Sequence, residues 1–203
     1  MFALVQDNTI TKTLSGNRGI TLGDIQYPRA IYTLWSAAER EAIGIYEVVW
    51  DNTNKKDEKY YNNTNQSFAF ADGVVTASYG SATAKALADA NATNEDGVEL
   101  DPVVVIPGLK TKHKRTIKQQ ASGLLTPTDW YVIKATDVES YSVPSAVTTF
   151  RTNVRTRSNE METAIDNAAD VDALAALYQY VNTGTEENPV MERPLGEFPV
   201  LEV

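Results

Sequence analysis

Hydrophobic and polar positions repeat with two different periods along the chain, and the change of period divides it. Phe2–Gln6 and Thr9–Leu14 read as short strands flanking Asp7-Asn8, a pair that tolerates the positive φ of a two-residue hairpin turn. Ser15-Gly16-Asn17-Arg18-Gly19 reads as loop, and Tyr27-Pro28 holds the chain extended or turning before the proline. Ser36-Ala37-Ala38-Glu39 has the spacing of a capping box, and Gly44 can close the short helix it opens in a left-handed conformation. Ile45–Trp50 is strand-like and Asn52–Gln66 is polar and turn-rich. Phe68–Ala71, Asp72-Gly73 and Val74–Tyr79 carry the clearest hairpin signal. Residues 1–80 are therefore expected to form a compact, mostly-β α+β module.

Residues 81–108 change character. Ala, Asn, Asp and Thr dominate Ser81–Asp96 with no stripe wide enough to hold a helix on a core. Val103–Ile106 is a β-branched run between Pro102 and Pro107, so the segment reads as a linker with one possible strand.

From residue 109 the period becomes helical. Leu109, Ile117, Ala121, Leu124 and Leu125 share a face with His113, and Lys110, Lys112, Lys114, Arg115 and Lys118 cover much of the remainder. Thr126-Pro127-Thr128-Asp129 breaks this helix. Val147, Phe150, Val154, Met161 and Ile165 mark a longer one after Pro144. Asp170 can cap a third, in which Leu174, Leu177, Tyr178 and Val181 align. Residues 109–182 thus predict a thin helical bundle whose modest stripes seek cover by oligomerisation. Beyond it, residues 183–203 are acidic and carry Pro189, Pro194 and Pro199, which predicts an extended tail that gains order only against a partner. The overall expectation is an α+β chain: a small mostly-β module, an amphipathic helical hairpin or bundle, and a proline-containing tail.

Composition narrows the chemistry. In 203 residues there are 18 Lys plus Arg and 27 Asp plus Glu, a net charge of −9, which argues against a general nucleic-acid binder. No cysteine is present, excluding disulfides, thiolate nucleophiles and Cys-ligated metals, and the single His113 excludes a multi-histidine site. Met1–Val5 is too short for a signal-peptide core and no stretch approaches the roughly 20 apolar residues that span a bilayer, so cytoplasmic synthesis without membrane insertion is expected.

The remaining candidates for chemistry have ordinary readings. Lysines and an arginine around His113 oppose its protonation and would suit a base, but no nucleophile accompanies it, and a packing seam explains it better. Asp51, Asp57 and Glu58, like Glu95, Asp96, Glu99 and Asp101, would serve a glycosidase only if held across a cleft. Asn94-Glu95-Asp96-Gly97 lacks the ligand alternation of a calcium loop. The Lys110–Lys118 run has no interleaved aromatic residues to stack bases. Its natural counter-charge is the stretch after Asn159, which holds ten acids and only Arg193 as a base.

Two stretches carry a resemblance. Met1-Phe2-Ala3-Leu4-Val5-Gln6-Asp7-Asn8-Thr9-Ile10, with Tyr27-Pro28 and Gly44-Ile45-Tyr46-Glu47-Val48-Val49, resembles the N-terminal module of phage tail-fibre and tail-fibre-assembly-type proteins. Leu124-Leu125-Thr126-Pro127-Thr128-Asp129-Trp130, with Phe150-Arg151-Thr152-Asn153-Val154-Arg155, is similar to a Leu-Leu-x-x-Thr-Asp-Trp helical hairpin at the C-termini of phage tail-associated proteins. In physical terms Thr128 or Asp129 would cap the first helix, Trp130 would cover the junction and Phe150 would pack opposite it.

The resemblance implies a non-enzymatic virion structural protein, tail-fibre or baseplate associated, with no catalytic, cofactor or metal residues. Its partners would be itself, as a trimer by analogy with fibres, and other tail proteins. A fibre-assembly chaperone is the alternative, and a small hydrolase of host-surface glycan a weaker one. The expected oligomerisation or packing residues are Leu124, Leu125, Trp130, Phe150, Val154, Met161, Leu174 and Leu177.

Overall fold

The computed structural model describes residues 1–201 and shows an α+β chain that divides into two compact units, Met1–Ala84 and Lys85–Val203. The first contains β1 (Phe2–Gln6), β2 (Thr9–Leu14), β3 (Ile20–Leu22), β4 (Ile25–Tyr27), α1 (Ile31–Leu34), α2 (Ala37–Glu41), β5 (Ile45–Asp51), β6 (Tyr61–Asn62), β7 (Ser67–Ala71), β8 (Val74–Ser78) and β9 (Thr83–Ala84). Asp7 and Asn8 have φ of 50° and 58°, and Asp72 and Gly73 have 51° and 77°, so both expected hairpins turn through left-handed residue pairs. At α2 the Ser36 side chain accepts from Glu39 N at 3.3 Å while Glu39 Oε2 accepts from Ser36 N at 2.8 Å, completing the capping box.

Five strands form one sheet in the order β2-β1-β5-β8-β7. All neighbours are antiparallel except β5 and β8, which run parallel with Val48 opposite Val75. The outer strands β2 and β7 approach each other, so the sheet curls around Ala3, Val5, Val48, Val75 and Ala77, with Tyr46, Phe68 and Phe70 packed against them. The opposite side buries Leu4, Leu14 and Ile45 beneath Ile31 and Tyr32 of α1. Alternation along β1 serves both sides, because successive side chains of a strand point to opposite faces. Arg40 is buried here, its Nη1 donating to the Trp35 carbonyl and its guanidinium 5.3 Å from the Phe2 ring centroid.

The second unit contains β10 (Ala90–Asn91), β11 (Val105–Ile106), α3 (Leu109–Leu125), α4 (Asp129–Asp137), α5 (Ser145–Asn167), α6 (Val171–Ala176), β12 (Val181–Asn182) and β13 (Met191–Glu192). Helices α3 and α5 pack together in antiparallel sense: Lys110 Nζ donates to the Asp166 carbonyl, Lys114 pairs with Asp166 at 2.8 Å and Lys118 with Glu162 at 3.2 Å. The acids after Asn159 thus meet the lysine run within the same chain, and spacing of four keeps all three lysines on one edge of α3.

The tail does not wait for a partner. β12 and β13 pair, Leu195 is buried with its N–H on the Leu177 carbonyl, and Arg157 donates to the carbonyls of Leu195 and Glu197. Phe198 and Leu201 pack against Ala121, Phe150 and Val154. Prolines prevent long elements here, yet three large apolar side chains and one arginine seat the segment on its own helices. An added Cβ at Gly196 would overlap the Arg157 guanidinium, so the arginine lies directly over that glycine.

Candidate functional site: the exposed face of the helical unit

The residues singled out for oligomerisation or packing separate into three groups. Phe150, Val154, Met161 and Leu174 are buried inside the unit, so they build its own core. Leu124 and Leu125 are half-buried against that core, and Leu177 is half-buried beyond α6. Trp130 is 50% exposed and does not cover the helix junction; it lies instead on Tyr131, ring centroids 3.8 Å apart, with Lys134 Nζ 5.8 Å above it. Phe150 correspondingly packs under Phe198 and Leu201 instead of facing the indole. His113 is buried with its ring 4.8 Å from Tyr178, the packing-seam environment its stripe predicts.

The junction is organised by Arg151, to which the sequence reading assigned no role. The Thr128 hydroxyl donates to the Leu125 carbonyl at 2.7 Å, capping the end of α3. Arg151 Nη1 donates to the same carbonyl at 3.0 Å and to Thr128 Oγ1 at 2.5 Å, and pairs with Asp129 Oδ1 at 2.8 Å. Thr128 is buried and the Arg151 side chain nearly so, which makes these charge-assisted bonds stronger than surface ones. The expected cap at Thr128 or Asp129 is therefore present, held from α5.

Helix α4 begins at this hub and buries no residue at all. Its sequence, Asp-Trp-Tyr-Val-Ile-Lys-Ala-Thr-Asp, places Trp130, Val132 and Ile133 in solvent, Ile133 at 61% exposure. An apolar run of this kind ordinarily enters a core. A second exposed apolar element lies just before α3. Residues 89–107, which the sequence reads as linker, fold as a β-arm: β10 pairs with β11, Ala92 N donates to the Val104 carbonyl, and Thr93 bridges to Glu99. Val98, Leu100 and all of Val103–Ile106 are exposed on it.

The arm is clamped at its root. Leu109 N and Lys110 N donate to the carbonyls of Ala86 and Leu87, and Gly108 N donates to Asp89 Oδ1 at 2.8 Å. That bond, with one from the Thr111 hydroxyl, holds the Asp89 carboxyl below its ordinary pKa. At the tip, Asn94 Oδ1 accepts from Asp96 N and Val98 N, so the side chain that faintly suggested a calcium ligand closes a turn instead.

The loop acids of the first unit are likewise committed locally. Asp51 accepts from the Thr53 amide and hydroxyl, which lower its pKa, and Asp57 accepts from Lys59 N. Among the described residues no three His, Asp or Glu side chains gather as a metal site, and no helix is long and apolar enough to cross a membrane. Comparison with protein families, with curated proteins and with solved structures finds no match.

Proposed function

We propose that the chain is a non-enzymatic structural protein of a bacteriophage particle, associated with a tail fibre or baseplate, that works by self-association and attachment to other tail proteins. The observation that carries this reading is α4, a helix that contributes no buried residue to its own unit yet displays Trp130, Val132 and Ile133. Exposed aromatic and aliphatic clusters of this kind characterise contact surfaces. The setting comes from the resemblance of the Met1–Ile10 hairpin and of the Leu124–Trp130 stretch to phage tail proteins. The contact is assigned to the outside of the helical unit, since Phe150, Val154, Met161 and Leu174 already meet their needs within one chain.

Mass spectrometry of purified particles tests the reading. Recovery of the polypeptide in fixed ratio to fibre or baseplate proteins is the expected result. Recovery bound to fibre ends in lysates but not in mature particles would make it an assembly chaperone, and absence from both would overturn the proposal.

A further inference from the structure

The β-arm and helix α3 are opposites in charge. Between Asp89 and Pro107 there are five acids (Asp89, Glu95, Asp96, Glu99 and Asp101) and no base, whereas Leu109–Leu125 holds five bases and no acid. On α3, Lys114 and Lys118 are neutralised by Asp166 and Glu162 of α5. Lys112 and Arg115 lie on the other side of the helix, away from the buried line of Leu109, His113, Ile117 and Ala121, and neither forms a salt bridge among the described residues. At the arm's tip Glu95 and Asp96 are equally without a cation, and Val98 and Leu100 stand exposed beside them.

From this juxtaposition we infer that the arm of one copy docks on the outer face of α3 of a second copy, Glu95 and Asp96 meeting Lys112 and Arg115. The inference rests on the self-association proposed above and names its surfaces. A second copy is the occupant because Glu95 and Asp96 on one side and Lys112 and Arg115 on the other are present in one chain and, among the described residues, form no ion pair with each other; only Asp89, at the root, reaches Arg115 electrostatically. Arm against arm is disfavoured, because it would bring acid to acid. Each copy then offers one arm and one receptor surface, a head-to-tail contact that yields a ring when the rotation closes. A trimer is one such ring.

Charge reversal in the full-length chain tests it, with mass read by light scattering across protein concentration in low salt. Glu95→Lys/Asp96→Lys and, separately, Lys112→Glu/Arg115→Glu are each expected to weaken self-association at least tenfold while leaving the circular dichroism spectrum unchanged. Mixing the two variants is expected to restore association in alternating copies, as pairs or even-numbered rings, since the reversed arm then meets a reversed face and the native arm a native face; an odd ring such as a trimer cannot close from the mixture. The absence of cysteine allows a second readout: Asp96→Cys mixed with Arg115→Cys should form a disulfide between copies under mild oxidation. Assembly undiminished in both reversal variants would overturn the inference and leave the virion reading standing. So would a monomer at every concentration, or reversal variants that both lose assembly without mutual rescue. Absence of the polypeptide from particles and lysates would sink the virion reading alone.

Discussion

The two units expose apolar residues on different kinds of element. In the first, a curled sheet covers its concave side with its own Tyr46, Phe68 and Phe70 and its convex side with α1. In the second, α3, α5, α6 and the tail bury a core, but α4 and the β-arm lie outside it with valines, isoleucines and a tryptophan in solvent. Each unit also contains a largely buried arginine that bonds a backbone carbonyl at a helix end or turn. Arg40 closes the turn at Trp35 within its module, whereas Arg151 fixes the base of a helix that goes nowhere on its own chain. The first unit also exposes apolar side chains, Leu34, Val49 and Trp50 among them, but on elements that bury other residues. The second has been given surface that costs solubility and gains nothing until another surface meets it.

The sharpest way to break this contrast is to damage each core separately. Ile45→Ala and Leu174→Ala both truncate fully buried side chains, and each is expected to cost about 2–5 kcal/mol. Denaturant unfolding followed at Trp35 and Trp50 for one unit, and at Trp130 for the other, would show whether each substitution moves only its own transition. Equal shifts at all three probes would merge the two units into one cooperative body.

Arg151→Met should come next, at about 2–3 kcal/mol, because it leaves the Leu125 carbonyl without its second donor and Asp129 without its cation. Loss of α4 amide protection in hydrogen exchange, with the sheet unit unaffected, is the expected signature.

Gly44→Ala strikes the first unit's most constrained backbone position. Its φ is 79°, and an added Cβ would sit 2.5 Å from the Val5 carbonyl oxygen, so a loss of about 1–3 kcal/mol is expected in thermal melts. Trp130→Ala should change stability by less than about 0.5 kcal/mol, since the indole is exposed, while lowering self-association seen by sedimentation. A large drop in melting temperature would return Trp130 to a structural role.

The smallest effect is one of pH. The folded-state pKa of Asp89 lies below its ordinary 3.8, so its contribution to the arm's root is fully present above that value and lost as pH falls through the lowered one. The protection of the Gly108 amide, relative to its intrinsic exchange rate, should therefore fall on acidification below pH 3.8, and Asp89→Asn should abolish that dependence.

Much of this was legible in the chain because it is local. The turns at Asp7-Asn8 and Asp72-Gly73, the Ser36–Glu39 cap, the Asp170 cap and the spacing of Val147 through Ile165 are each set by residues within a few positions of one another. The β5–β8 pairing was not, because parallel register across the Asn52–Gln66 segment is a long-range matter that no neighbouring pattern encodes. The short β3–β4 hairpin has too few residues to show a period.

At the candidate surface only one placement was misread: Trp130 was expected to cover the helix junction, because burial is the prior for an indole, while Val132 and Ile133 were assigned no role. Arg151 escaped because a lone arginine on a helix is usually solvated, and only the end of α3 beside it reveals three acceptors within reach. The tail was expected to float because prolines forbid long elements, but Leu195 and Phe198 need none to be buried or half-buried.

The seating of the N-terminal end of α4 on Arg151 has a mechanical corollary. Nine residues of helix extend about 13 Å from the Arg151 hub, so tilting the hub by about ten degrees displaces the far end by about 2 Å. The guanidinium of Arg151 therefore acts as the pivot of a short lever. Whatever seats against Ile133 has its position governed by three bonds about 6 Å back along the helix.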